Sequence, residues 1–298
     1  MKGLNLILTV FSLLALVACS ETHFKEDKIF AGGVYVTAKQ LNDGKSVYTE
    51  YCMSCHGVKG DGAGHSAKGL QVPPRNFLLG QYKFGKVVSG ELPNDQDFYD
   101  ILKKGLHGTA MLPWDLSDKQ AFNVVQYIKT FAPQKWEGVD KKLGAPIIAG
   151  KDPYGDAHKA SAIARGKEVY HVVGQCWTCH RAYASHAEIS AIAQKINGEP
   201  MTEFDPEMYH VKLQPSDYGY SSMPPEFTYD QVRSAVTVEE IYVRMNAGVG
   251  GAAMASWKGV LEDDEIWAVS HYVKSLMDMK RSPARSNFLK DIEAANKK

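Results

Sequence analysis

The sequence has few cysteines and no excess of charge of either sign. Its five cysteines are Cys19, Cys52, Cys55, Cys176 and Cys179. Each is assigned to a specific role below, which leaves none for a structural disulfide. The 34 basic and 34 acidic side chains give a formal net charge of zero, and this balance does not favour nucleic acid, whose binding needs a basic face. With 44% apolar residues, the chain can still bury substantial cores.

Long apolar runs are absent beyond the first residues. Residues 4–18 are almost continuously apolar, but a membrane-spanning helix needs about 20 such residues, and the run is typical of a signal-peptide core. It ends in Leu-Val-Ala-Cys at residues 16–19, which resembles the lipobox of bacterial lipoproteins. That resemblance implies that Cys19 is acylated and becomes the mature N-terminus, and Ser20 after it favours the outer membrane. A plain secretory signal cut near Ala18 is the alternative.

The N-terminal region is therefore predicted to export and anchor the protein. Residues 1–18 would be a signal peptide, and residues 19–39 a lipidated N-terminus and tether, in which two consecutive glycines break any helix. The protein would lie on the periplasmic side of the bacterial cell envelope, with membrane contact through its lipid anchor.

Two copies of Cys-x-x-Cys-His stand at residues 52–56 and 176–180. This is the attachment sequence for a c-type haem. Thiols at i and i+3 lie on one side of a helical turn, so each pair can form thioethers to one porphyrin edge. The predicted attachment residues are Cys52, Cys55, Cys176 and Cys179. The adjacent histidines, which would be proximal iron ligands, are His56 and His180. The sequence thus predicts two covalently bound haem c groups.

Further residues recur around the two motifs. The pattern Gly-Lys-x-Val-Tyr at residues 44–48 returns at 166–170 and marks one face of a helix. Residues 97–114 return at 240–257 with a constant offset of 143, and each copy contains a Gly-rich loop, a Met and, three positions later, a Trp. Each copy leads into an amphipathic helix, the first of which begins with a capping-box pattern. These repeats predict two homologous units rather than one large fold.

Together these motifs resemble the class I cytochrome c family over residues 40–132 and 161–280. The resemblance implies an all-α fold of two tandem class I cytochrome c domains, with few helices around each covalently bound haem. In that family the N-terminal helix crosses the C-terminal helix at a small Gly and an aromatic residue. Residues 133–160 are rich in Gly and Pro and are predicted to form a linker.

 

Two further segments complete the predicted organisation. Residues 281–298 form a C-terminal tail with the pattern of a short capped helix. An insertion near residues 197–220 lengthens the second unit between its haem histidine and its methionine.

The resemblance also implies roles around the first haem. Residues 72–77 resemble the Pro-Pro-Arg-Asp-Phe stretch of bacterial cytochrome c domains, in which a Pro carbonyl accepts the hydrogen bond of the proximal histidine. Pro73 and Pro74 are the corresponding prolines. Arg75 would face a haem propionate, with which a guanidinium forms bidentate bonds. A solvated surface arginine is the alternative for this position.

The sixth iron ligands are predicted to be Met111 and Met254, because Met/His ligation is what this family uses. A thioether is soft, suits low-spin haem iron and raises its reduction potential. A methionine that merely fills a core gap is the alternative. The tryptophans expected beside the cofactor are Trp114 and Trp257. Neither methionine is followed directly by the proline of the usual Met-Pro-x-aromatic pattern.

The second unit differs from the first in its proline stretch, residues 222–227. The expected acceptors for His180 are the carbonyls of Pro224 and Pro225. We align Glu226 with Arg75, and since an acidic residue cannot pair with a propionate, another partner is needed. The alternative propionate partners are Arg233 and Arg244. Met223 in this stretch also competes with Met254 as an iron ligand.

Two haems with candidate ligands on both faces predict an electron carrier without catalytic residues. By analogy with the family, its redox partners would be a quinol-oxidising complex and a terminal oxidase or reductase. The alternative function is a dihaem peroxidase or a cytochrome subunit of an oxidoreductase complex. A peroxidase needs an open or displaceable sixth site, whereas both units carry a methionine candidate.

Overall fold

The computed structural model describes residues 24–297. The predicted signal peptide and the lipidation site at Cys19 therefore lie outside the described residues. Within this range, none of the helices is both long and apolar enough to cross a membrane. The described part of the chain is helix-rich and has one two-stranded sheet, which agrees with the predicted all-α class.

The first unit consists of short helices preceded by a hairpin. Its strands are β1 (Lys28–Phe30) and β2 (Val34–Val36), and its helices are α1 (Ala38–Tyr51), α2 (Met53–His56), α3 (Asp95–Lys104), α4 (Asp118–Lys129) and α5 (Pro133–Trp136). Helices α1, α3 and α4 begin with capping boxes, in which the N-cap and N3 side chains satisfy backbone N–H groups. The box predicted before α4 is thereby confirmed.

The second unit repeats this order with longer connections. Its helices are α6 (Lys159–Glu168), α7 (His186–Asn197), α8 (Val238–Ala247), α9 (Asp263–Asp278) and α10 (Pro283–Asn296). Helix α6 continues into a π-helical turn at Val169–Val173. The helix predicted at the C-terminus is α10, with Pro283 in its first turn, but the side chain of its N-cap residue Ser282 makes no capping hydrogen bond. It packs on the second unit through the buried side chain of Ile292.

In each unit the first long helix crosses the last one at a glycine. A Cβ on Gly44 of α1 would overlap the Asn123 carbonyl oxygen of α4, and a Cβ on Gly166 of α6 would overlap the Ala268 carbonyl oxygen of α9. Only a residue without a side chain permits two helix backbones to approach so closely. The aromatic pairs beside the crossings are Tyr48 with Tyr127 and Tyr170 with Tyr272. The predicted crossing of glycine and aromatic is confirmed in both units.

Residues 24–39 do not form the irregular tether that we expected. β1 and β2 pair antiparallel, and Gly32 and Gly33 between them have φ values of 78° and 75°, which glycine adopts without strain. Phe30 and Val36 are fully buried in the core of the first unit. The tether prediction is wrong for this segment, because strands of three residues are too short to show a periodic pattern.

The segment between the units follows first one unit and then the other. The backbone N–H of Ile147 donates a hydrogen bond to the Lys86 carbonyl of the first unit at 2.7 Å. Asp152 then accepts a hydrogen bond of 2.8 Å from Nε2 of His271 on α9. The predicted linker is therefore fastened to both units.

Residues 81–89 of the first unit form part of its contact with the second unit. Arg244 of α8 is buried and donates hydrogen bonds to the carbonyls of Phe84 at 2.9 Å and Gly85 at 3.0 Å. This engagement with backbone carbonyls assigns Arg244 to the interface, in place of the propionate role considered from the sequence. The interface holds the two haem-motif units in a defined arrangement.

Candidate functional site

Both Cys-x-x-Cys-His motifs form a tight helical turn. The backbone N–H of His56 donates to the Cys52 carbonyl at 2.9 Å, and that of His180 donates to the Cys176 carbonyl at 2.9 Å. The four cysteines of the motifs are free thiols. Burial raises the pKa of the Cys52 and Cys176 thiols to about 12, so neither is a reactive thiolate of the kind that a dithiol redox centre needs.

Each haem-motif histidine is oriented by one backbone carbonyl. Nδ1 of His56 donates to the Arg75 carbonyl oxygen at 3.1 Å, and Nδ1 of His180 donates to the Pro225 carbonyl oxygen at 3.2 Å. Because Nδ1 carries the proton, Nε2 presents the lone pair that an iron requires. Burial lowers the pKa of His56 and lowers that of His180 to about 4. Both imidazoles therefore stay neutral, which is the metal-binding form.

A phenylalanine stacks on each of these imidazoles. The Phe77 ring lies 4.6 Å from the His56 ring at an interplanar angle of 20°, and the Phe227 ring lies 4.7 Å from the His180 ring at 21°. The near-identical geometry shows that the two sites are built in the same way. These phenylalanines are not among the site residues predicted from the sequence, although their place at the end of both proline stretches is a signal for them.

The stacked phenylalanines correct the alignment of the two proline stretches. Three pairs correspond: Phe77 with Phe227, Asn76 with Glu226, and Arg75 with Pro225. The side chains of Asn76 and Glu226 support this alignment, since each accepts a hydrogen bond from the backbone N–H two residues ahead, at 2.9 Å and 3.1 Å. The predicted equivalence of Arg75 and Glu226 is therefore wrong. The second stretch is one residue shorter, and its run of prolines does not reveal where the gap falls.

The prediction of a proline acceptor in the first unit is also wrong. The carbonyl that holds the first haem-motif histidine belongs to Arg75, whereas Pro73 is exposed and Pro74 is half-buried before it. In the second unit Pro225 is the acceptor and Pro224 precedes it. The acceptor is the residue two positions before the stacked phenylalanine. Because a backbone carbonyl does this work, the side chain at that position is free to differ.

Glu226 is held by partners within the second unit. Hydroxyl groups of Tyr183 and Thr228 each donate to its carboxylate at 2.7 Å, and Arg285 of α10 pairs with it at 3.1 Å. Burial alone would raise the pKa of Glu226, but these hydrogen bonds outweigh burial and hold it below its ordinary value. The carboxylate therefore fastens α10 to the proline stretch as an ionised group.

The two methionine loops share their backbone hydrogen bonds at the predicted offset of 143. In the first pair of equivalent bonds, Leu106 N–H donates to the Met111 carbonyl and Val249 N–H donates to the Met254 carbonyl, both at 2.8 Å. In the second pair, Trp114 N–H donates to the Leu102 carbonyl at 2.8 Å and Trp257 N–H donates to the Met245 carbonyl at 3.0 Å. The glycines that open the loops have left-handed φ values of 68° and 73°. The repeat found in the sequence is thus a repeat of backbone structure.

The predicted ligands Met111 and Met254 are more buried than Met223, the alternative ligand in the second unit. Met111 and Met254 are half-buried. Met111 packs against the core that contains Cys52, and Met254 packs against the core on which Cys176 also packs. Met223 is 60% exposed, a placement that favours Met254 as the iron ligand. Trp114 is 36% exposed, whereas Trp257 is half-buried against the second core.

The tyrosine of the repeated Gly-Lys-x-Val-Tyr pattern also belongs to each site. The hydroxyl of Tyr48 donates to the carbonyl of Gly57 at 2.7 Å, and that of Tyr170 donates to the carbonyl of Arg181 at 2.7 Å. Each acceptor directly follows the histidine of its motif. The first helix of each unit therefore holds the end of the attachment turn.

Three cations gather beside the first proline stretch, namely Arg75, Lys83 and Arg233. Within residues 24–297, none of them forms an ion pair with a carboxylate. Burial lowers the pKa of Lys83 to about 8, and the neighbouring charges of Arg75 and Arg233 act in the same direction. An anionic group in this region would offset that cost, and haem carries anionic propionates.

The chemistry of these residues fits haem c. Each unit combines a pair of free thiols, a neutral imidazole with an available Nε2 and a thioether on a structured loop. Among the described residues, no group of three or more His, Cys, Asp or Glu is arranged to hold a separate metal ion. The iron centre that the donor set suits is therefore a haem iron.

Comparison with known proteins gives the same result. Residues 39–128 match the family model of cytochrome c oxidase, cbb3-type, subunit III, and residues 163–277 match that of cytochrome c. A chain from the Kuenenia stuttgartiensis reducing HAO-like protein complex Kustc0457/Kustc0458 is 30% identical, with a TM-score of 0.62. The match covers 78% of this chain and 95% of that chain. A search of the curated proteins finds no significant match.

Proposed function

Since the chain belongs to the dihaem c-type cytochromes, we propose that it carries electrons between respiratory partners in the bacterial envelope. The observation that supports this function most directly is the repetition of one set of candidate iron ligands. Both units present an oriented imidazole and a methionine loop. An iron with ligands on both faces exchanges electrons but offers no position to a substrate.

The residues of the chain set the properties of each site. A bound haem supplies a one-electron couple. The carbonyls of Arg75 and Pro225 orient the imidazoles and raise their basicity. The loops of Met111 and Met254 present thioethers, which raise a haem potential relative to a second histidine. Because the three cations Arg75, Lys83 and Arg233 lie together beside the first site without an ion pair, the two haems are expected to have different potentials.

A spectroscopic redox titration of the purified protein tests the carrier function. We expect two covalent haems, both six-coordinate and low-spin, that titrate in two separate steps. Rapid reaction of a high-spin haem with peroxide would instead support the peroxidase alternative. The reaction is followed in the visible spectrum, with an equal concentration of a known carrier cytochrome as the control.

A second function is favoured by the solved structure. The similar chain is part of a reducing HAO-like protein complex, so this chain is also a candidate for the cytochrome subunit of an oxidoreductase complex. Purification under mild conditions distinguishes the two functions. A subunit would co-purify with a partner chain in fixed proportion, whereas a carrier to a quinol-oxidising complex and a terminal oxidase or reductase would be isolated alone.

Membrane attachment is proposed to occur through a lipid on Cys19. The support is the Leu-Val-Ala-Cys sequence at residues 16–19. We expect the substitution Cys19→Ser to release the protein from the membrane fraction, because several acyl chains provide the binding energy. Fractionation with immunodetection measures this, and continued binding of the variant would contradict the proposed anchor.

A further inference from the structure

The insertion in the second unit contacts the first unit through residues near the C-terminal end of the insertion. Within residues 197–220, Asp217 accepts a hydrogen bond of 3.0 Å from Nε2 of Gln81 in the first unit. The backbone N–H of Asp217 donates to the Gly251 carbonyl at 3.0 Å. Tyr218 follows at the same boundary and is half-buried. The insertion therefore lies between the two units and contacts both.

Two cationic side chains of the first unit lie over the ring of Tyr218. Arg75 Cζ lies 3.9 Å and Lys83 Nζ lies 5.5 Å from the ring centroid, within the range of about 6 Å over which cation–π attraction acts. Stacking uses the face of the guanidinium and leaves the N–H donors in its plane available to other partners. Because the Arg75 carbonyl orients His56, this ring contacts a residue of the first haem site directly.

The hydroxyl of Tyr218 holds the loop that ends at Met254. It donates a hydrogen bond of 2.6 Å to the Gly250 carbonyl, and the Gly250 N–H donates to the Lys83 carbonyl at 3.0 Å. A Cβ on Gly251 would come within 2.8 Å of the Tyr218 ring. The loop is therefore enclosed by the tyrosine on one side and by the first unit on the other.

The equivalent loop of the first unit has no such support. Among the described residues, no hydrogen bond joins residues 105–111 to the second unit. Gly108, which corresponds to Gly251, approaches only Gln231, whose Cβ would lie 3.2 Å from an added Cβ. The contact made by Tyr218 thus distinguishes the second methionine loop from the first.

We propose that Tyr218 is a positioning residue that couples the two haem sites. Its ring fixes Arg75 at the first site, and its hydroxyl fixes the Met254 loop at the second. The proposal deepens the carrier function and rests on it for the presence of two haems. It follows that the ligation and potential of the second haem depend on contact with the first unit.

The test compares Tyr218→Phe and Tyr218→Leu in the full-length dihaem protein. Tyr218→Phe keeps the ring and loses the hydroxyl, so the second haem is expected to lose part of its methionine-to-iron charge-transfer band. Its potential should fall, because the thioether is what raises it, while the potential of the first haem stays unchanged. Tyr218→Leu also removes the face that holds Arg75 and should shift the potential of the first haem as well.

Tyr220→Phe is the matched control. Tyr220 lies in the same insertion, its ring is 6.0 Å from that of Tyr218, and it is 39% exposed. We expect wild-type potentials and a wild-type band for this variant. If both Tyr218 variants match Tyr220→Phe, the proposal is overturned. A wild-type protein without two low-spin haems would overturn the carrier function instead, so the two failures are distinguishable.

Discussion

Arg75 has two separable roles at the residue scale. Its backbone carbonyl orients His56, while its guanidinium stacks on Tyr218. Pro225 fills the first role in the second unit and has no group for the other. A substitution of the Arg75 side chain therefore removes an interdomain contact and a positive charge, but it leaves the hydrogen bond to the imidazole in place.

The choice between two methionines is testable at the same scale. We expect Met254→Ala to remove about half of the methionine-to-iron band, because one of two haems loses its thioether, and to lower the potential of that haem. Met223→Ala is the control and should change neither, since Met223 is 60% exposed. Visible spectroscopy and a redox titration measure both effects. The opposite pattern would assign the ligand to Met223.

At the scale of elements, the crossing of the first and last helices fixes the shape of each unit. The backbone of α6 approaches that of α9 at Gly166, and α1 approaches α4 in the same way at Gly44. Tyr48 lies one turn further along α1, and Tyr170 lies in the π-helical turn that follows α6. Both tyrosines hold the attachment turns. The crossings therefore determine where each haem-motif histidine lies relative to its unit.

A methyl group at a crossing should separate the two helices. We expect Gly166→Ala to lower the free energy of unfolding by about 3 kcal/mol, the upper end of the usual cost of overpacking, because the added Cβ would overlap the Ala268 carbonyl of α9. Urea unfolding followed by circular dichroism measures the change. Gly150→Ala is the control, since no atom lies within 4 Å of its added Cβ. Equal stability of the two variants would contradict this account.

For the whole molecule, the sequence predicts what is repeated. The attachment motifs, the glycine at each crossing and the methionine loops occur twice at fixed spacing, and the structure shows equivalent backbone geometry at both copies. The predicted acceptor for His56 is wrong, because every residue has a backbone carbonyl and the side chain does not show which carbonyl accepts the hydrogen bond. The second proline stretch is one residue shorter than the first, and its consecutive prolines do not show where the missing residue falls in the alignment.

Features that occur once were not predictable in the same way. The hairpin at residues 28–36 has no second copy, and its strands are too short to show a pattern. The contacts of Tyr218 join residues about 140 positions apart in the sequence, and long-range contacts of this kind depend on the packing of two finished units. The interface is therefore a property of the fold rather than of any local motif.

The contact of Phe24 with α1 would limit how far a lipid-anchored protein could move from a membrane. The backbone N–H of Phe24 donates to the Asn42 side chain of α1 at 3.1 Å, so Phe24 is attached to the first unit. If Cys19 carries the proposed lipid, the five residues up to Phe24 can extend by about 18 Å at most. The first unit would then search for partners by lateral diffusion along the bilayer surface, and it would exchange electrons with proteins whose redox centres face that plane.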